Sequence, residues 1–126
     1  MIEIEIKKFQ QEYETTFILI PELSEGEHRQ LVDKYINMIK DNGGAVHNIE
    51  HWGMRKLAYP IAKKTNGYYA FIEFRADTEF IDNLEQAYRY DESVVRYLTV
   101  KLEKHALEYN VKRREQGFGM RKDLKR

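Results

Sequence analysis

The chain has 126 residues, with 21 basic and 21 acidic side chains, no cysteine, and 42% hydrophobic against 33% charged residues. That length suits one domain with a modest core, and nine tyrosines, six phenylalanines and one tryptophan exclude a wholly disordered chain. The absent cysteines exclude a disulfide scaffold, thiolate metal ligation and a cysteine nucleophile.

Residues 1–12 read as an N-terminal extension. Their stretch Ile2-Glu3-Ile4-Glu5-Ile6-Lys7 alternates like a strand and lacks the basic-then-apolar order of a secretory signal. With no apolar run near the ~20 residues a membrane helix needs, the expected location is the cytoplasm, without a membrane partner. Residues 13–20 alternate, Tyr13, Thr15, Phe17 and Leu19 on one parity, which predicts a strand ended by Pro21. Ser24-Glu25-Gly26-Glu27 has the spacing of a capping box, and Leu31, Val32, Tyr35, Ile36 and Ile39 recur at steps that predict a long amphipathic helix leaving through Gly43-Gly44.

Residues 45–60 are extended but irregular, with Gly53 marking a bulge or a bend, and Lys63-Lys64-Thr65-Asn66-Gly67 predicts a turn. The aromatic run over 68–75 predicts a strand. A second helix begins near Asp77-Thr78, either of which can cap it, with Phe80, Ile81, Leu84, Ala87 and Tyr88 on one side. Residues 94–102 form the last strand. The order is β-α-β-β-α-β, an α+β arrangement with two helices on one face of a four-stranded antiparallel sheet spanning residues 13–102.

Strand parity predicts what the uncovered face carries. Ala70, Ile72 and Phe74 suit the helix side, leaving Tyr69, Phe71 and Glu73 outside. On the last strand Leu98, Val100 and Leu102 are expected inside and Tyr97, Thr99 and Lys101 outside. With Thr16 and Ile18 outward on the first strand, Ile18, Tyr69, Phe71 and Tyr97 form an aromatic patch suited to binding. The alternative is a reversed parity on one strand, which turns such residues into core.

Charge is uneven along the chain. Residues 112–126 hold seven basic and two acidic side chains, so a tail of +5 balances a remainder of −5. This tail, within the segment 103–126, has no helical or strand period and reads as disordered alone. Its functional reading is an arm that orders on RNA, with Arg113, Arg114, Arg121 and Lys122 on phosphates and Phe118 available for stacking.

Two motif matches are partial. Tyr69-Ala70-Phe71-Ile72-Glu73-Phe74 fits the last six positions of the pattern by which RNA recognition motifs stack bases, but the preceding basic-Gly pair is absent. His47-Asn48-Ile49-Glu50-His51 spells a zinc-protease string that needs a helix. In an extended segment its histidines stand ~13 Å apart, so no metal site and no enzyme is expected. The segment 52–60 sets the basic pair Arg55-Lys56 beside apolar and aromatic residues, a mix suited to phosphate and to a packing partner.

Trp52-Gly53 with Arg55-Lys56-Leu57-Ala58-Tyr59-Pro60-Ile61, then Gly67-Tyr68-Tyr69, then Arg89-Tyr90-Asp91-Glu92-Ser93-Val94-Val95-Arg96, closely resembles the family of the sixth protein of the bacterial small ribosomal subunit. The likeness runs over residues 13–101. It implies a ferredoxin-like fold and a structural role, binding small-subunit ribosomal RNA jointly with the subunit's eighteenth protein, without a cofactor or a small-molecule substrate. The family's basic and aromatic positions fall on Tyr13, Arg55, Tyr59, Tyr68, Arg89 and Arg96. Of these, the three arginines are expected on phosphate, because guanidinium is always charged and forks onto its oxygens. The aromatics are expected to shape the surface or meet the partner protein. The chain departs from the family at Gln11-Glu12, where members commonly carry Met-Arg, and in its basic tail. The competing reading is an RNA recognition motif-like module stacking single strands on Tyr69 and Phe71.

Overall fold

The computed structural model describes residues 10–102, in the order β1 (Gln10–Leu19), α1 (Glu25–Asp41), β2 (Ala45–Ile61), β3 (Lys64–Asp77), α2 (Thr78–Tyr90) and β4 (Val94–Lys101). The strands form one antiparallel sheet in the order β2-β3-β1-β4, the split β-α-β-β-α-β arrangement expected from the elements. The alternating stretch 2–7 and the tail 103–126 lie outside the described residues.

Local signals place both ends of α1. The Ser24 hydroxyl accepts from the Glu27 amide at 3.1 Å, and Glu27 Oε1 accepts from the Ser24 amide at 2.9 Å, completing the capping box. At the other end the Gly44 amide donates to the Ile39 carbonyl and the Gly43 amide to that of Lys40, with Gly43 at φ 85°. These bonds occupy carbonyls that the last helical turn leaves open. Asp77 takes the capping position of α2, but its side chain makes no capping bond.

One core lies between the helices and the sheet. Phe17 sits at its centre, 5.4 Å from the Tyr35 ring and 5.2 Å from that of Tyr88, with Val32, Ile39, Ile72, Phe74 and Leu84 fully buried around it. Tyr88 contributes its ring to this cluster and bonds its hydroxyl to Thr15 at 3.0 Å, so the buried polar atom is satisfied. His28, also buried, stacks on Tyr68 at 4.3 Å and donates from Nε2 to the Ile20 carbonyl. On the other side the Tyr68 hydroxyl and His51 Nδ1 share a hydrogen bond of 2.9 Å; burial pushes the His51 imidazole below its ordinary value, with Arg29 adding to the shift.

Three expectations change. The turn between β2 and β3 is the pair Ala62-Lys63, both at positive φ, and Ile61 pairs with Lys64. Gly67 therefore lies inside β3 opposite Arg55. A side chain there would run into Ile18 Cγ2, so this glycine serves close packing rather than turning. The parity of β4 is reversed. Thr15 pairs with Thr99 and Phe17 with Tyr97, so these β4 residues face the helices, Tyr97 stacking on Tyr88 at 5.2 Å. Leu98 and Val100 instead point away from the helices and are exposed. Finally, β1 starts at Gln10, three residues before the expected strand.

Asp91 joins α1 to the end of α2. Its Oδ2 accepts from the Tyr35 hydroxyl at 2.5 Å and from Lys34 Nζ at 3.3 Å, and its Oδ1 accepts from the Ser93 amide. Burial raises the Asp91 carboxyl, but the Tyr35, Ser93 and Lys34 donors outweigh it and hold the group below its ordinary 3.8. A depressed carboxylate stabilises the fold above its unfolded value, and that contribution is lost as pH falls through the folded one. Unfolding free energy measured from about pH 6 to about pH 2 is therefore expected to fall less steeply below pH 4 in Asp91→Asn than in the parent. Parallel acid limbs would show that Asp91 carries none of the acid sensitivity.

Candidate nucleic-acid interface

Alternation along the strands sends every second side chain to the face turned from both helices. Register places Glu14, Thr16 and Ile18 of β1 there, opposite Glu73, Phe71 and Tyr69 of β3 and beside Val100, Leu98 and Arg96 of β4. Strand β2 adds Asn48, Glu50, Trp52 and Arg55. This face divides into an acidic end, an aromatic middle and a basic end.

At the acidic end Glu14 pairs directly with Glu73, and both are buried. Nearby, Glu12 accepts from Arg75 Nε at 2.7 Å and from His47 Nε2 at 2.9 Å. In the middle Trp52 lies parallel to Phe71, centroids 5.7 Å apart, and donates from its indole to Glu50 at 2.7 Å. The bulge at Gly53, where β2 slips register against β3, brings Trp52 over that neighbour. Ile18 and Leu57 are buried beside it, close to Gly67.

The basic end is built by the distal part of β2 and the start of β4. Arg55 Nε donates to the Trp52 carbonyl at 3.2 Å. The Arg96 guanidinium lies 5.7 Å from the Tyr59 ring centroid and donates to the Tyr59 hydroxyl at 2.8 Å. Burial raises the Tyr69 hydroxyl pKa while Arg55 and Arg96 both lower it, so both arginines act on that ring. Among the described residues, Arg55, Arg89 and Arg96 form no ion pair with a carboxylate, whereas Arg29 pairs with Glu25 and Arg75 with Glu12. Positive charge that the protein does not neutralise is what a phosphate backbone recruits.

The structure thus brings Arg55, Arg96, Tyr59 and Tyr69 together, with Tyr59 exposed and Tyr69 half-buried. Lys56, paired with Asn66, is exposed on the opposite side of the strand, and Arg89 is exposed in the last turn of α2, bonded to none of the four. Several expected surface aromatics are elsewhere. Tyr13 stacks on Phe74 and Tyr68 on His28, both in the core, because their parity faces the helices. Tyr97 belongs to the helix side through Tyr88. Phe71 does point to the open face, but it is 0% exposed and Trp52 stacks on it. The basic candidates Arg113, Arg114, Arg121 and Lys122 lie outside the described residues. Parity counting missed the Trp52–Phe71 stack, which depends on a bulge, and left the Glu14–Glu73 pair unread although both glutamates alternate onto one face.

His47 and His51 lie in strand β2, not in a helix. His47 bonds Glu12 on the open face while His51 bonds Tyr68 on the helix side, so the pair has no common ligand position.

Comparison with known proteins agrees with this architecture. The profile of the family described as Ribosomal protein S6 matches residues 12–101. The small ribosomal subunit protein bS6 of Parabacteroides distasonis is 50% identical over 102 residues, covering 81% of this chain and 86% of its own length. That of Thermoanaerobacter pseudethanolicus is 44% identical over 89 residues, covering 71% and 94% respectively. The crystal structure of 30S ribosomal protein S6 from Thermotoga maritima superposes with a TM-score of 0.72 at 31% identity, over 85% of this chain and 97% of that one.

Proposed function

The chain belongs to the ribosomal protein S6 family, and from that premise we propose that it binds small-subunit ribosomal RNA jointly with the subunit's eighteenth protein. It is a structural component of the bacterial small ribosomal subunit, not an enzyme, and it works in the cytoplasm within the ribosome. The observation that carries the RNA reading is the basic end of the open face. There Arg55 and Arg96 stand beside Tyr59 and Tyr69 without a carboxylate partner among the described residues. Arg89 and Lys56 are exposed nearby in sequence and add phosphate contacts, as do Arg113, Arg114, Arg121 and Lys122 of the tail.

Joint binding follows from charge. The described sheet carries Glu12, Glu14, Glu50 and Glu73 on the same face as the two arginines, which weakens its hold on a polyanion and leaves part of the positive charge to the partner. Stacking of single strands on Phe71 is disfavoured, because that ring is already covered. Binding to a small-subunit RNA fragment, measured with and without the eighteenth protein at about 50 and about 200 mM salt, tests the proposal. Tight, salt-sensitive binding is expected only with both proteins present. Equal affinity for this chain alone, or no dependence on salt, overturns it.

A further inference from the structure

Tyr59 stands on one edge strand of the sheet yet touches the other. Strands β2 and β4 are separated by β3 and β1, three strand spacings or ~14 Å. Even so, the Arg96 guanidinium of β4 donates to the Tyr59 hydroxyl and lies over its ring. The pairing explains the reach: Lys56 pairs with Asn66 and Ile61 with Lys64, but residues 57–60 have no partner on β3. This segment therefore leaves the ladder and crosses the open face. Leu57, 5% exposed, anchors it close to Gly67 and Ile18, and Ile18 has Tyr69 and Arg96 as its partners on either side.

Beyond that anchor, Tyr59 is the most exposed aromatic ring of the face, at 54%. Phe71 is fully covered, Trp52 is stacked on it, and Tyr69 is half-buried. An exposed side chain ordinarily loses rotamer freedom when a ligand binds it. Here a charge-assisted hydrogen bond already fixes the hydroxyl, a cation–π contact fixes the ring, and Pro60 restricts the backbone that follows. Arg96 is itself exposed. One of its five N–H groups goes to Tyr59, and the others are available to a further acceptor, with no carboxylate partner among the described residues.

Resting on the RNA reading above, we infer that Tyr59 and Arg96 form a subsite for one unpaired nucleotide, its base stacked on the Tyr59 ring and its phosphate held by the Arg96 guanidinium. A continuous duplex does not fit this role, because paired bases keep their faces inside the stack and only an unpaired base presents a flat surface to a ring. A single nucleotide carries both groups that the ring and the cation beside it would hold.

The test uses the full chain with the eighteenth protein, on a small-subunit RNA fragment whose unpaired nucleotides are replaced by abasic ones, one at a time. At one position the loss of the base is expected to weaken binding about tenfold, within the range for stacking one base on an aromatic side chain. In Tyr59→Leu the same replacement is expected to cost less than about twofold, since the stack is already gone. On the unmodified fragment Tyr59→Leu is expected to lose about tenfold with an unchanged salt slope, because no charge is removed. Tyr59→Phe keeps the ring and is expected to stay within about threefold of the parent. Losses that simply add at every position place the ring against something other than a base and overturn the inference. So does unimpaired binding by Tyr59→Leu, or a loss in Tyr59→Phe equal to that in Tyr59→Leu. A parent pair of proteins that does not bind the fragment overturns the joint-binding reading, and the subsite with it.

Discussion

Replacing Arg55 and Arg96 together by alanine is expected to weaken joint binding to small-subunit RNA about a hundredfold, at ~1.5 kcal/mol for each charge-assisted hydrogen bond to phosphate that is removed. The slope of log affinity against log salt is expected to become shallower by about two, one for each phosphate no longer neutralised. The two positions are singled out by their surroundings. Arg96 rests on Tyr59, and both guanidinium groups act on Tyr69 without a carboxylate partner among the described residues. Arg29 and Arg75 already pair with Glu25 and Glu12 and serve as controls: alanine at either is expected to change affinity less than threefold, well under ~1 kcal/mol. An unchanged salt slope in the double variant would mean that phosphate is held elsewhere.

The largest expected effect on stability is at Phe17. Its ring is fully buried between Tyr35 and Tyr88, so Phe17→Ala removes the packing against both rings and leaves a cavity that the flanking strands cannot close. A loss of ~3–5 kcal/mol is expected, against total stabilities of about 5–15 kcal/mol for domains of this size. In urea unfolding the midpoint should fall sharply with little change in slope. Leu98→Ala is the informative contrast. At 58% exposure it should alter stability by no more than about 0.5 kcal/mol. A loss of several kcal/mol at Leu98 would instead restore the inward parity that alternation suggested for β4.

Those two substitutions mark where reading along the chain works and where it stops. Helix α1 was legible because its determinants are local: Ser24 and Glu27 three residues apart, apolar residues at steps of three and four, and Gly43 at the exit. The outward parity of Ile18, Tyr69 and Phe71 was legible for the same reason, each strand showing which of its faces is the more apolar. Strand β4 gave no such signal. Both parities carry apolar or aromatic side chains, Val95 and Tyr97 on one and Leu98 and Val100 on the other. The choice between them is made by Thr15, 84 positions from its partner Thr99, together with Tyr88 of α2, which stacks on Tyr97. The hairpin is similar: Gly67 looks like a turn residue until Ile18 is packed against it from another strand.

Element order, helix boundaries, family membership and the uneven charge are all written in short-range patterns, because caps, periodicity and charge runs depend on residues within a turn or two of one another. The basic end of the open face is different in kind. Arg96 meets Tyr59 across 37 positions and Glu14 meets Glu73 across the sheet, and neither pairing leaves a local trace. Register decides them, and register is an outcome of packing both sides of the sheet at once. Only the folded sheet could show that one face carries a glutamate row at one end and, at the other, arginines without a carboxylate partner among the described residues.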